Sequence, residues 1–175
     1  MGENDRRTRL EGLYAAHAGR VLRYAGRRTD GASAADVLSE VFVVAWQRLD
    51  DVPADPVPWL LECARRVLLH QRRAHLRRLR LVERLAAHTA ADSFAFDLPD
   101  QSLGRALAAL TERDREALLL TAWEGLTTEQ AARVLGCSAP TFRVRAHRAR
   151  RRLAAALNTS NCEDAPTLTM EVCDE

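Results

Sequence analysis

Between Thr141 and Leu153 the sequence TFRVRAHRARRRL carries six arginines and a histidine without one carboxylate. Guanidinium groups are planar, permanently charged forks that match phosphate oxygens and the guanine edge in a DNA major groove, so the chemistry on offer is recognition of a polyanion. Phe142, Ala146, Ala149 and Leu153 recur at intervals of four, three and four, which lays them along one buried stripe of a helix. Arg143, Arg145, His147, Arg148, Arg150, Arg151 and Arg152 take the rest of the circumference. A basic helix facing only water is the plain alternative. Solvated faces usually mix signs, however, and no acid appears between Gln130 and Cys162. With the turn that precedes it, this pattern favours DNA.

The elements that must hold such a helix are legible just before it. In LTTEQAARVLGCSAPTFRV, Thr127 can cap a short helix with Gln130 bonding back in a capping box. Ala131, Ala132, Val134 and Leu135 form its inner face. Gly136 stands where a left-handed residue must end that helix, because a Cβ would clash there. Ser138 then caps the basic helix, and Pro140 falls in its first turn, where a missing N–H deprives nothing of a partner. The stretch from 126 to 153 therefore reads as a helix-turn-helix.

Upstream, residues 8–28 show Leu10, Leu13, Tyr14, His17, Val21, Tyr24 and Ala25 at helical spacing, begun by Thr8. His17 on that face reads as a core or boundary residue. Thr29-Asp30-Gly31 breaks the helix, and Ser33 with Asp36 opens the next as a capping box. That second helix, SAADVLSEVFVVAWQRLDD, is apolar on two stripes, one of Val37, Val41 and Val44, the other of Leu38, Phe42, Ala45 and Leu49. It is either a central helix covered on both sides or a docking helix whose surplus face, beside Asp36 and Glu40, meets another protein. DDVPADPVP, residues 50–58, reads as an ordered loop. A long helix follows from Trp59 to about Arg78, extending to about residue 87. Leu60, Cys63, Ala64, Val67, Leu68 and Gln71 trace its inner side, and Arg65, Arg66, Arg72, Arg73, Arg77 and Arg78 make a second basic surface. Basic groups with an aromatic suit opened DNA, which offers phosphates and bases that stack; a solvated face is the equal alternative. HTAADSFAFDLPDQ loses periodicity and reads as a linker in which Phe94, Phe96 and Leu98 could dock. Leu103, Leu107 and Leu110 form a short helix, and Thr111 with Asp114 opens another that Gly125 closes.

The 175 residues can bury a core in one medium domain or two small ones. The net charge of +2 conceals an asymmetry: arginines crowd residues 65–84 and 133–152, while residues 158–175 carry five acids and no base. Every basic residue is arginine and alanine is abundant, the usage of a GC-rich genome and one that favours helix. Placement is therefore more informative than number. No apolar run approaches the roughly 20 residues of a bilayer span, and MGENDRRTR lacks the apolar core of a signal peptide, so a cytoplasmic protein is expected. Cys63, Cys137, Cys162 and Cys173 show no metal spacing, and the first two read as small buried residues. No nucleotide loop, metal cluster or nucleophile–base pair appears, so neither an enzyme nor a cofactor is expected. The tail, NTSNCEDAPTLTMEVCDE, is expected to be disordered, with acids that complement the Arg-rich helix.

Taken in order, these pieces resemble the bacterial sigma factors of the extracytoplasmic-function (ECF) group, over about residues 9–157. AADVLSEVFVVAWQRLDDV resembles the family's core-polymerase-binding region, WLLECARRVLLHQRR its helix facing the minus-ten element, and LAALTERDREALLLTAWEGLTTEQAARVLGCSAPTFRVRAHRARRRL its minus-thirty-five-binding domain. The implied fold is all-α: a sigma region 2-like helical domain over 8–87 and a region 4-like helix-turn-helix domain over 101–157. A flexible acidic linker over 88–100 joins them, and an acidic tail occupies 158–175. The resemblance places Asp36, Ser39, Glu40, Phe42 and Trp46 on the core polymerase and Asp55, Trp59, Arg65, Arg66, Arg72 and Arg73 on the minus-ten DNA. Ser138, Thr141, Arg143, Val144, Arg145, His147 and Arg148 fall to the minus-thirty-five duplex. It implies core RNA polymerase as partner, through the beta-prime clamp and the beta flap, together with promoter DNA and an anti-sigma factor. Ser39 stands where the family commonly has glutamine, and Arg66 and His70 where it has asparagine and aspartate. Pro140 and Val144 also depart from the small or polar residues usual in the recognition helix. The implied role is promoter-specific initiation of transcription. The alternative is a self-sufficient helix-turn-helix repressor that uses residues 8–87 to oligomerise, which leaves the second basic surface and the acidic linker without a purpose.

Overall fold

The structure, a computed structural model, describes residues 2–83 and 101–163, with side-chain surroundings for 2–78 and 101–158. The proposed linker with Phe94, Phe96 and Leu98, and the tail beyond Glu163, lie outside the described residues.

Helix α1 spans Glu3–Gly26 and starts before Thr8, the expected cap. Glu3 and Asp5 occupy its first turn, where carboxylates meet the positive end of the helix dipole. Thr8 lies inside the helix and donates its hydroxyl to the Asn4 carbonyl at 3.0 Å. Helix α2 spans Gly31–Gln47, and its cap is Asp30 rather than Ser33. One Asp30 oxygen accepts from the Ser33 N–H at 2.8 Å and the other from its hydroxyl at 3.0 Å. These bonds, first of all that from the Ser33 backbone, hold the Asp30 carboxyl below its usual range. Asp30 accepts two charge-assisted bonds here, which moves the start of the helix back. A 3₁₀ turn at Leu49–Asp51 leads to α3, Val57–Glu83, which begins before Trp59 because Pro58 fits its first turn.

Four further helices follow: α4 Gln101–Ala108, α5 Glu112–Ala122, α6 Thr128–Leu135 and α7 Ala139–Glu163. Thr111 accepts from the Asp114 N–H and caps α5 as expected. Both halves of the capping box between Thr127 and Gln130 are present. Gly136 has φ +66°, and bonds from Gly136 N–H to the Arg133 carbonyl and from Cys137 N–H to the Ala132 carbonyl close α6. Helix α7 continues into 158–163, part of the expected disordered tail. Ala154, Ala155 and Ala156 are strong helix formers and no proline or glycine intervenes before Pro166.

Apolar packing joins these elements into one body. Val21, Tyr24, Val37, Val41, Leu60 and Leu61 of the first three helices share a continuous core with Leu120 of α5, Leu126 of the loop after it, Val134 of α6 and Phe142 of α7. Leu107, Leu110, Leu118 and Ala149 make a smaller cluster beneath α4. The two helical groups expected from the sequence therefore pack against one another. The physical reason lies in α6: Ala131, Ala132 and Val134 are buried and Leu135 half-buried, enough apolar circumference to pack on α7 and on α3 at once. Cys63 and Cys137 are half-buried rather than fully enclosed, and burial pushes the Cys63 thiol up to about 11.

Candidate polymerase and nucleic-acid interfaces

The recognition helix is built as its sequence requires. Phe142, Ala146 and Ala149 are buried, and Leu153 packs beside them. That stripe fixes the rotation of α7 and turns Ser138, Thr141, Arg143, Val144, His147 and Arg148 outward, with Arg145 half-buried. Val144 is 51% exposed, an apolar group among cations. The Ser138 and Thr141 hydroxyls bond at 2.8 Å, and the Thr141 N–H donates weakly to Ser138 at 3.4 Å, fixing the helix start. Thr141, Val144, Arg145 and Arg148 line a shallow hollow closed on one side by Asp114 and Arg152. Arg152, grouped with the other arginines by the sequence, is instead paired with Asp114, a buried acid at the start of α5. Only its role as a cap partner was legible in advance.

The second basic surface differs from expectation. Arg66 and Arg73 are exposed, Arg66 within 2.5 Å of Glu62 one turn away. Arg65 is half-buried and Trp59 packs against the core. Asp55 accepts from the Gln130 amide of α6 at 2.7 Å, and Arg72 pairs with Glu112 of α5 at 2.5 Å. Thus the face expected to lie open toward DNA is partly covered by the second helical group.

On α2, Asp36, Ser39 and Glu40 are exposed, joined by Val43 at 56% exposure. Positions 36, 39, 40 and 43 follow the spacing of one helix face. Val43 was hidden in the sequence by the valine pair it belongs to. Phe42 does not lie on this face; it is 7% exposed and packs edge-on against Tyr14, with ring centroids 4.8 Å apart. Two stripes on one helix compete for the core, and the Phe42 stripe is drawn in by α1. Trp46 is half-buried beneath Arg6, whose guanidinium carbon lies 5.3 Å from the ring centroid and whose terminal N–H donates to the Trp46 carbonyl at 3.1 Å. Glu40 accepts from Gln71 of α3 at 3.1 Å.

A polar seam between the helical groups was missed altogether. Arg28 forms ion pairs with Glu116 at 2.9 Å and with Glu124 at 3.8 Å, and lies 3.6 Å above the Tyr24 ring. Arg27 pairs with Glu124, Arg20 donates to the Glu124 carbonyl, and the Tyr24 hydroxyl donates to Glu116 at 2.7 Å. Burial, reinforced by the Glu116 charge, raises the Tyr24 phenol well above its usual range. Burial disfavours the Arg28 charge, but Tyr24 and Glu116 outweigh it and the guanidinium is held protonated more firmly than usual. Single charges at 27, 28, 116 and 124 carry no periodic signal, and only the tertiary pairing reveals them.

An exposed Arg-rich helix on a helix-turn-helix, packed against a second helical group with its own basic helix, is the architecture of a DNA-binding protein. Residues 13–81 match the family model described as Sigma-70 region 2, and residues 100–153 match Sigma-70, region 4. The chain is 31% identical over 157 residues to the ECF RNA polymerase sigma factor SigL of Mycobacterium tuberculosis, covering 85% of this chain and 88% of that one. It is 32% identical over 141 residues to the RNA polymerase sigma factor NccH of Alcaligenes xylosoxydans xylosoxydans, covering 71% and 73%. Its fold is shared with the sigma factor RpoE solved with the anti-sigma factor NepR from Bartonella quintana. That match has a TM-score of 0.67 at 24% identity and covers 85% of this chain and 96% of that one. The chain belongs to the ECF RNA polymerase sigma factors, and it directs transcription initiation. Among the described residues no helix is long and apolar enough to cross a membrane.

Proposed function

We propose that this sigma factor divides its labour among three surfaces, with the helix group α1–α3 and the helix group α4–α7 as its two working modules. Asp36, Ser39, Glu40 and Val43 of α2 dock on the polymerase beta-prime clamp, with Phe42 and Trp46 holding that helix from beneath. Asp55, Trp59, Arg65, Arg66, Arg72 and Arg73 hold the opened minus-ten strand. Ser138, Thr141, Arg143, Val144, Arg145, His147 and Arg148 read the minus-thirty-five duplex, while the second module meets the beta flap. The role is one of binding and placement rather than catalysis, and a cytoplasmic location follows from its partners. An anti-sigma factor is a further proposed partner.

The observation that carries this reading is the outward turn of Arg143, Val144, His147 and Arg148 on a helix pinned by buried Phe142. Phosphate contacts from these arginines supply affinity that falls with salt, and base-edge contacts supply sequence preference. The test is run-off transcription with sigma-free core polymerase. Specific transcripts appear when the chain is added; a stand-alone repressor would bind DNA and start none.

A further inference from the structure

We propose that Arg6, in the first turns of α1, is a positioning residue for minus-ten recognition. Its guanidinium ties the end of the polymerase-docking helix α2 to the loop that carries Asp55, and so sets where that loop meets the melted strand. The proposal rests on the assignment of Asp55 and its loop to the minus-ten DNA.

The tie is one side chain with three partners. The Arg6 guanidinium carbon lies 5.3 Å from the Trp46 ring centroid, within cation–π range. One terminal nitrogen donates to the Trp46 carbonyl at 3.1 Å and the other to the Asp50 carboxylate at 3.0 Å. Trp46 belongs to the last turn of α2, and Asp50 to the 3₁₀ turn that leads out of it. A planar fork holds a carbonyl and a carboxylate at fixed angles, whereas an ammonium on a flexible stem is a point charge without that geometry. Arg9 lies one turn further along the same face of α1. It stands 3.9 Å from the other Asp50 oxygen and donates to the Val52 carbonyl at 3.4 Å.

The loop is built to carry that setting forward. Leu49 and Val52 are buried and anchor its inner side. Pro53 and Pro56 flank Ala54 and Asp55, and each proline fixes its own φ, so the stretch has little freedom of its own. Asp55 itself is exposed. A shift at Asp50 is therefore passed on to Asp55, while Asp36, Ser39, Glu40 and Val43 sit on earlier turns of α2 and keep their places. Charge works in the same direction. Asp50 and Asp51 would repel a phosphate backbone; Arg6 and Arg9 offset the first, and Arg48, 2.9 Å away, offsets the second.

Stability alone does not account for this arrangement. The Arg6 and Asp50 side chains are 28% and 67% exposed, and ion pairs this open to water add little to the folded state. What the contact does supply is placement. It selects one position of the loop before DNA arrives, which lowers the ordering cost of binding the strand.

Run-off transcription with core polymerase tests the tie. The templates are a promoter selected by the wild-type holoenzyme from random duplexes, and copies of it with each minus-ten or minus-thirty-five base replaced in turn. Arg6→Ala loses about fivefold of the discrimination against minus-ten replacements, the scale of one exposed charged contact. Discrimination against minus-thirty-five replacements stays level, as does affinity for core polymerase read by fluorescence anisotropy. Arg6→Lys loses about as much, because the charge without the fork does not bridge Trp46 and Asp50. Asp50→Asn reproduces the loss, and the double variant with Arg6→Ala is no worse than either single one, since both cut the same tie. Unchanged minus-ten discrimination in Arg6→Ala overturns the proposal, as does a loss shared equally by both elements, full recovery by lysine, or additive losses in the double variant. Asp55→Ala reads the loop assignment separately. A loss there with none in Arg6→Ala overturns the proposal alone, and wild-type discrimination in Asp55→Ala overturns the assignment and the proposal with it.

Discussion

Helices α3 and α7 are alike in charge and differ in access. Each carries arginines around an apolar stripe, and each starts beside a proline that fits its first turn. On α7 the stripe packs inward and Arg143, His147 and Arg148 face outward. At α3 and the loop before it, the partners of Arg72 and Asp55 come from the other helical group. Composition and periodicity tell which helices are able to meet a polyanion. Whether they present that face depends on acids and amides contributed from far away in the chain.

Substitutions on the two sides sharpen this contrast. The largest effect is expected at Phe142, 1% exposed in the core common to both groups. Phe142→Ala should lower stability by about 3–5 kcal/mol, read as a shifted urea midpoint, and its single transition should report both groups melting together. Next, Arg148→Ala should weaken minus-thirty-five duplex binding by about 1–3 kcal/mol and leave the melting curve in place. Arg152→Ala should do the reverse, because its partner is the buried Asp114 rather than DNA. Equal losses of affinity in these two variants would erase the distinction between free and paired arginines. Thr127→Ala removes the cap of α6 and should cost about 1 kcal/mol, measured by denaturant titration.

The smallest effect concerns Tyr24. Its phenol is raised above the ordinary value near 10, by burial first and then by Glu116. A raised value means that the neutral phenol is favoured in the folded state. Its contribution is complete below pH 10 and is lost as pH climbs through the elevated value. A tyrosinate absorbance titration should show one late-ionising group, and Tyr24→Phe should remove it. An absorbance titration left unchanged by Tyr24→Phe at high pH would count against a buried Tyr24–Glu116 contact.

Local signals carried most of the fold. The capping box at Thr127 and Gln130, the left-handed Gly136 and the Phe142 stripe are set by neighbours three or four residues away, and all stand as read. Where two local solutions competed, the stronger one displaced the expected one. Asp30 caps α2 in place of Ser33, and Glu3 and Asp5 start α1 ahead of Thr8. The interfaces were legible only in part. The family resemblance places Phe42 on the polymerase, yet Tyr14 of α1 packs over it and Val43 is left exposed instead. The seam of Arg27, Arg28, Glu116 and Glu124 joins residues about ninety positions apart, and no short-range pattern encodes a contact of that kind.

We propose that two basic helices grip promoter DNA at separate places while α2 holds the polymerase. Hydroxyl-radical footprinting of the chain with core polymerase on one of its promoters tests it directly. Two protected tracts are expected, one on upstream duplex that Arg148→Ala weakens and one on the downstream non-template strand that Arg73→Ala weakens. A single continuous tract, weakened equally by both substitutions, would contradict it.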